Sequence, residues 1–363
     1  MTDTLFEPLP LAHGPAMKNR FMLAPLTNQQ SHADGTLSDE EFRWLTMRAD
    51  GGFAITMTCA AHVQPSGQGF AGQLAIFGDQ HLEGLTRLAR AIRAKGSISS
   101  VQLYHGGNRC PAALVGTPVS SSDDPETGAR ALTTAEAEKL RDDFITAAKR
   151  AEKCGFDGVE IHGAHGYILT QFLSAQTNRR DDRYGGSLEN RARLIFEIID
   201  GIRSACRADF QIGLRLSPER FGLKLMEVRE VAQEVLHREK IDFLDMSLWD
   251  FAAEPVEEAL KGRTLMSYFT TLKRGAVRLG AAGKIMSAEN AQHVVDQGCD
   301  FVVIGRAAIL RHDFPNRVQR DRHYQSPALP VTRRHLSDEG LSGPFITYMS
   351  GWPGFVAQEE AAA

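Results

Sequence analysis

A chain of 363 residues with 42% hydrophobic and 24% charged side chains has the composition of an ordinary globular protein able to bury a sizeable core. Its formal net charge is −4, with Arg and Lys dispersed, so nothing marks it for nucleic acid or an anionic membrane surface. The five cysteines (Cys59, Cys110, Cys154, Cys206 and Cys299) lie far apart without a CxxC pair. That argues against a zinc site, an iron–sulfur cluster or a disulfide framework, and suits a reducing compartment. The start, MTDTLFEPLP, has no basic segment followed by an apolar run, and no window approaches a membrane span. A cytoplasmic chain is expected.

From about residue 20, short apolar runs alternate with amphipathic stretches. Strands are predicted at Arg20–Ala24, Gly52–Ala60, Ile98–His105, Gly158–His162, Gln211–Leu216, Phe243–Ser247, Ala281–Met286 and Phe301–Ile304. Runs such as VQLYH, GVEIH and FVVIG are β-branched or continuously apolar, as strands covered on both faces are. Helices fall between them. Leu85, Leu88, Ala89 and Ile92 form a stripe that ends at Gly96. Thr133 to Glu136 reads as a capping box, followed by Leu140, Phe144, Ala147, Ala148 and Ala151 at helical spacing and stopped by Gly155. Leu194 to Ile202 gives a third stripe, and Ala291, Val294 and Val295, before Gly298, a fourth. Eight βα repeats predict a (β/α)8 barrel of about residues 20–312 within a single domain, 1–363. An open doubly wound sheet is the alternative, but no GxGxxG follows an early strand. Long excursions at 106–132 and 163–187 follow the third and fourth strands, where such barrels build their sites. The tail, 313–363, lacks the βα rhythm and is expected to pack on the barrel or on a second subunit.

The densest chemistry is His162-Gly163-Ala164-His165-Gly166-Tyr167, directly after GVEI. Two imidazoles and a phenol within six residues, flanked by glycines at a strand's C-terminal end, point to function rather than loop structure. Two readings stay open at this stage: a proton-handling site, or a two-histidine metal site completed by a carboxylate.

Residues 162–200, HGAHGYILTQFLSAQTNRRDDRYGGSLENRARLIFEIID in outline, resemble the fourth-strand signature of the Old Yellow Enzyme family of flavin reductases. LAPLT (Leu23 to Thr27), QLYHGG (Gln102 to Gly107), GLRLSP (Gly213 to Pro218) and VVIGRA (Val302 to Ala307) are similar to further family segments, in the family's order. The resemblance implies an FMN-dependent ene-reductase that takes electrons from NADPH or NADH and reduces small activated alkenes. It implies that His162 and His165 donate to the substrate's activating oxygen and that Tyr167 is the acid. A phenol keeps its proton at neutral pH, as that role requires. Cofactor contacts are implied for Pro25, Leu26 and Thr27 along the ring, for the backbone N–H groups of Thr58 and Cys59 at the end of the second strand, and for Gln102 at the pyrimidine edge. Arg215 would face the ring's electron-rich side, where a permanent cation favours reduction. Amides of Met286, Gly305 and Arg306, with the Arg306 guanidinium, would hold the phosphate.

Three positions depart from the family's usual pattern: Asn28 after LAPLT, Asn108 ahead of Arg109, and Met57 on the second strand. They bear on the rim, and so on substrate preference. Larger relatives add an iron–sulfur segment and a dinucleotide-binding region; without clustered cysteines, this chain is not expected to be of that form. A metal-dependent barrel hydrolase using His162 and His165, or a flavin-binding protein without turnover, are the alternatives. No resident metal is expected, and a homodimer is compatible with the sequence. Tyr348, Trp352 and Phe355 either cap a pocket or bury themselves as a docked terminus.

Overall fold

Alternation of side chains along each strand splits this protein into two cores. In the computed structural model, which describes residues 4–358, eight parallel strands close into a barrel in sequence order. They are β1 (Phe21–Leu23), β2 (Ile55–His62), β3 (Ile98–Tyr104), β4 (Gly158–Gly163), β5 (Gln211–Leu216), β6 (Phe243–Ser247), β7 (Arg278–Ala282) and β8 (Phe301–Ile304). Val101, Leu103, Val159, Ile161, Ile212 and Leu214 belong to the outer core beneath the helices. Met22, Ile55, Met57, Ile98, Phe243, Phe301 and Val303 fill the interior, sealed at the base by Leu9 and Met17. Interior phenylalanines need space on the neighbouring strand. Gly280, paired with Phe301, supplies it, because a Cβ there would run into the Phe301 ring.

Helices α1 (Asp39–Asp50), α2 (Leu82–Ala94), α3 (Thr134–Lys153), α4 (Leu188–Ala205) and α5 (Leu225–Arg238) cover the barrel, with a four-residue turn α6 (Ser267–Thr270), α7 (Ala288–Asp296) and α8 (Arg306–Leu310). The capping box at Thr133 and Glu136 is present, and the expected stripes of α2, α3 and α4 are the buried ones.

The prediction for the seventh strand is corrected. β7 ends at Ala282, so only Ala281 and Ala282 of the expected Ala281–Met286 belong to it. The chain turns out of the sheet at Gly283, and Lys284 has φ +49°. Ile285 and Met286 are apolar because they line a cavity, not because they pair. β2 begins at Ile55 rather than Gly52 and runs on to His62, with an irregularity between Met57 and Ala60. Thr58 and Cys59 therefore sit mid-strand, in the bulge, instead of ending it.

The tail docks on α1 and α8. Arg48, fully buried, donates to the carbonyls of Trp44, Ala308 and Glu339. The helix Gly343–Ser350 sets Phe345 edge-on against Trp44 at 5.6 Å. Phe355 is buried, whereas Trp352 is 41% exposed. Among the described residues, no helix is long and apolar enough to cross a membrane.

Candidate active site

A cavity of about 530 Å³ opens at the C-terminal ends of the strands. Of the residues singled out in the sequence, it gathers Pro25, Leu26, Thr27, Gln102, His162, His165, Tyr167, Arg215, Met286, Gly305 and Arg306. Thr58 is the exception. Its hydroxyl donates to the Cys59 carbonyl at 2.7 Å and accepts from the Gln102 amide at 3.2 Å, while Ala60, beyond the bulge, lines the wall.

β4 aims Glu160 and His162 inward, two residues apart. The Nδ1 of His162 accepts from the Ala164 amide at 3.2 Å, so the neutral ring carries its proton on Nε2. Burial, then His165, Arg215 and Arg109, hold His162 well below the usual histidine range. His165 stands edge-on to it at 5.1 Å, with φ +61°. Its amide donates to Ser217 Oγ at 2.9 Å and its Nε2 meets Ser247 Oγ at 2.7 Å, which fixes ring and backbone together. It too is kept neutral by burial first, then by Arg215 and Arg109. Gly166 (φ +74°) adopts a left-handed conformation, and a Cβ there would lie 2.9 Å from the Phe221 ring. That turn delivers Tyr167, whose ring lies 5.2 Å from His162 and 4.5 Å from Tyr104. Arg109 caps it with a guanidinium 4.9 Å from the ring centre and also donates to the His165 carbonyl. The inserted Asn108 thus does not displace Arg109: Asn108 bonds Asp124 at 2.7 Å and Gln171 at 2.6 Å. Asn28 is buried on Glu41, 3.0 Å away, away from the cavity wall.

On the floor, Arg215 is 5% exposed and pairs with Asp245 of β6, Nε to Oδ2 at 3.0 Å. Gln102 donates to Glu160 at 2.7 Å. Both side chains thus have internal partners, yet both still face the cavity. At the opposite end, Gly305 caps α8 and gives the wall a strip of bare backbone beside Leu26 and Ala24. Arg306 and Lys284 bring positive charge there, Lys284 being paired with Asp250 at 2.6 Å. The expectation for the Met286 amide is corrected: that N–H is donated to Asn290 Oδ1 at 3.1 Å, and only the rest of Met286 meets the cavity.

Sequence reasoning missed Glu160, Asp245, Ser247, Tyr104 and Trp249. Period-two alternation back from His162 and Ser247 would have found the two carboxylates. Tyr348 and Trp352, left open, line the mouth in contact with one another at 6.3 Å. Among the described residues, no three His, Cys, Asp or Glu converge as metal ligands.

Fold and site define a parallel barrel whose cavity has a guanidinium and a carboxamide on its floor, cationic side chains at the other end, and two neutral imidazoles and a phenol in its wall. Residues 4–325 match the model of the NADH:flavin oxidoreductase / NADH oxidase family, and the chain belongs to that family. It is 37% identical over 333 residues to the Bacillus subtilis protein named probable NADH-dependent flavin oxidoreductase YqiG, covering 88% of this chain and 89% of that one. With a Bacillus licheniformis NADPH dehydrogenase it shares 29% identity, over 96% of this chain and 98% of the other. Among solved structures, the old yellow enzyme homologue from Zymomonas mobilis superposes with a TM-score of 0.79 at 26% identity, covering 93% and 98%. The protein is an NAD(P)H-dependent flavin oxidoreductase of the Old Yellow Enzyme type, with FMN as cofactor. The residues present suit that group: a buried guanidinium and a carboxamide at one end of the cavity, bare backbone with two cationic side chains at the other.

Proposed function

We propose that this enzyme reduces the carbon–carbon double bond of small alkenes activated by a carbonyl or nitro group. When bound, FMN supplies the hydride that goes to the β-carbon and is itself recharged by NADPH or NADH. The chain's own residues manage the charge and the proton. His162, through Nε2–H, and His165 beside it donate to the activating oxygen as negative charge develops there. Because both rings are neutral, they polarise that oxygen without giving up a proton to it. Tyr167 delivers its phenolic proton to the α-carbon, so one hydride and one proton complete the reduction. Arg215 and Gln102 bind and orient the pyrimidine end, Pro25 to Thr27 lie along the ring, and Gly305 and Arg306 receive the phosphate. Tyr348, Trp352 and Trp249 give the cavity an aromatic mouth.

The observation that carries this reading is the convergence of His162, His165 and Tyr167 on one cavity with Arg215 at its floor. A catalysis-free flavin carrier would have no need of that convergence, and a metal hydrolase would need a third ligand beside the histidines. The test is an anaerobic absorbance titration of the purified protein, first with NADPH or NADH, then with 2-cyclohexen-1-one. The flavin band is expected to bleach and then return. Bleaching without return would refute alkene reduction while leaving the flavoprotein intact.

A further inference from the structure

Beneath the cavity, two carboxylates and one guanidinium are enclosed together. Glu160 and Asp245 are each fully buried and Arg215 nearly so. Arg215 meets Asp245 at 3.0 Å and, among the described residues, is otherwise within hydrogen-bond reach of Ser247 Oγ alone, at 3.4 Å. Glu160 Oε1 accepts from Gln102, while Glu160 Oε2 and both Asp245 oxygens are buried without a hydrogen-bond donor. If both acids were ionised, one guanidinium would face two buried negative charges. An uncompensated buried carboxylate is strongly disfavoured and is avoided by taking up a proton.

We propose that Glu160 and Asp245 hold one proton between them, balancing Arg215 with a single negative charge, and that this proton sets how strongly the cavity floor attracts an electron-rich flavin edge. The second half rests on the proposed placement of the cofactor against Arg215 and Gln102; the first half does not. Glu160 and Asp245 are positioning residues here, acting through Arg215 and Gln102. The surroundings leave few competitors for the proton. Glu160 faces Gln102 from β3, Arg215 from β5 and Asp245 from β6. Asp245 is also felt by the buried thiol of Cys299, ahead of β8. His162, above Glu160 on β4, is kept neutral, partly by the same guanidinium. Burial first, then Asp245, raises Glu160 to about 8, against the opposing pull of Arg215 and Gln102. The proton is therefore held at neutral pH and released in mild alkali.

Infrared difference spectroscopy on the holoenzyme tests the proton directly. A protonated-carboxyl stretch should be present at pH 7, disappear as pH passes through about 8, and be missing at pH 7 in both Glu160→Gln and Asp245→Asn. Loss in the second variant is the signature of sharing, since removing Asp245 frees Glu160 to ionise beside Arg215. If no such band titrates in the wild-type protein, the shared proton is overturned, whether or not either variant folds. On the holoenzyme, the flavin midpoint potential should fall more steeply with pH above about 8 in wild type than in Glu160→Gln. Superimposable potential–pH curves, with the infrared band present, would overturn the coupling to the flavin edge and leave the proton itself standing.

Discussion

Replacing Tyr167 with Phe separates chemistry from packing more cleanly than any other change at this site. The ring keeps its edge contacts with Tyr104 at 4.5 Å and His162 at 5.2 Å, and Arg109 can still sit over it at 4.9 Å. Only a hydroxyl at the cavity is lost, so stability should change by less than about 1 kcal/mol. A positioned general acid is worth about 10²–10⁴ in rate, or roughly 3–5 kcal/mol of barrier at about 1.4 kcal/mol per decade. Stopped-flow measurement of the two half-reactions should find flavin reduction by NADPH within a few-fold of wild type. Reoxidation by an enone should be slowed by about two to four orders of magnitude. Tyr104→Phe serves as the control. That phenol is buried and held well above the usual tyrosine range by burial and then by Tyr167, so it is a poor substitute donor. If Tyr167→Phe slows both half-reactions equally, or leaves reoxidation untouched, the assignment of the acid is wrong.

Other consequences can be checked independently. Because His162 and His165 are held well below the usual histidine value, enone reduction should show no imidazole titration between pH 6 and 8. A step near 6.5 in the pH–rate profile would contradict that. Acid should destabilise the fold through His81 and His105, whose burial lowers them to about 4 and about 3. Below 6.5 the unfolded chain binds protons that the folded one refuses, so stability is full above 6.5 and falls as pH drops toward 4. Each group should cost roughly 2 kcal/mol at pH 5, read as a lower urea midpoint than at pH 7. Arg48→Met should strand the carbonyls of Ala308 and Glu339, at about 1–3 kcal/mol apiece, and loosen the tail. Denaturant unfolding with Trp fluorescence would register that loss, and an unchanged midpoint would refute the clamp.

What the sequence disclosed divides along physical lines. Strand positions were legible because buried parallel strands write their pattern locally, and six of the eight agree with the structure to within two residues at either end. β7 was misplaced because an apolar run, AAGKIM, mixes two sources of burial: pairing up to Ala282, and cavity lining at Ile285 and Met286. Propensity carries no sign of the φ +49° at Lys284. The strand-end placement of Thr58 failed for a similar reason, since a bulge between Met57 and Ala60 depends on the partner strand and leaves Thr58 mid-strand. The His162–Tyr167 loop was legible from residue type alone. The roles of Tyr348 and Trp352 were not, because they depend on where a tail without βα rhythm docks, and that is settled by Arg48 and Trp44 far earlier in the chain.

Strand register explains why the polar residues meet at all. Gln102 pairs with Glu160 and Glu160 with Gly213, which makes one row across β3, β4 and β5. His162 pairs with Arg215 and Arg215 with Asp245, which makes the next row toward the C-terminal end. Both rows point inward, and a slip of one residue on any strand would turn its polar groups out among the helices. Such a slip is opposed further along the same two rows, where Phe243 and Phe301 fill space left by Gly213 and Gly280. The packing that makes the barrel's lower half an ordinary core therefore also holds the height at which a guanidinium, two carboxyls and an imidazole face one another. A larger side chain at Gly213 or Gly280 would be felt at the site as well as in the core, because each glycine shares a row with the polar groups.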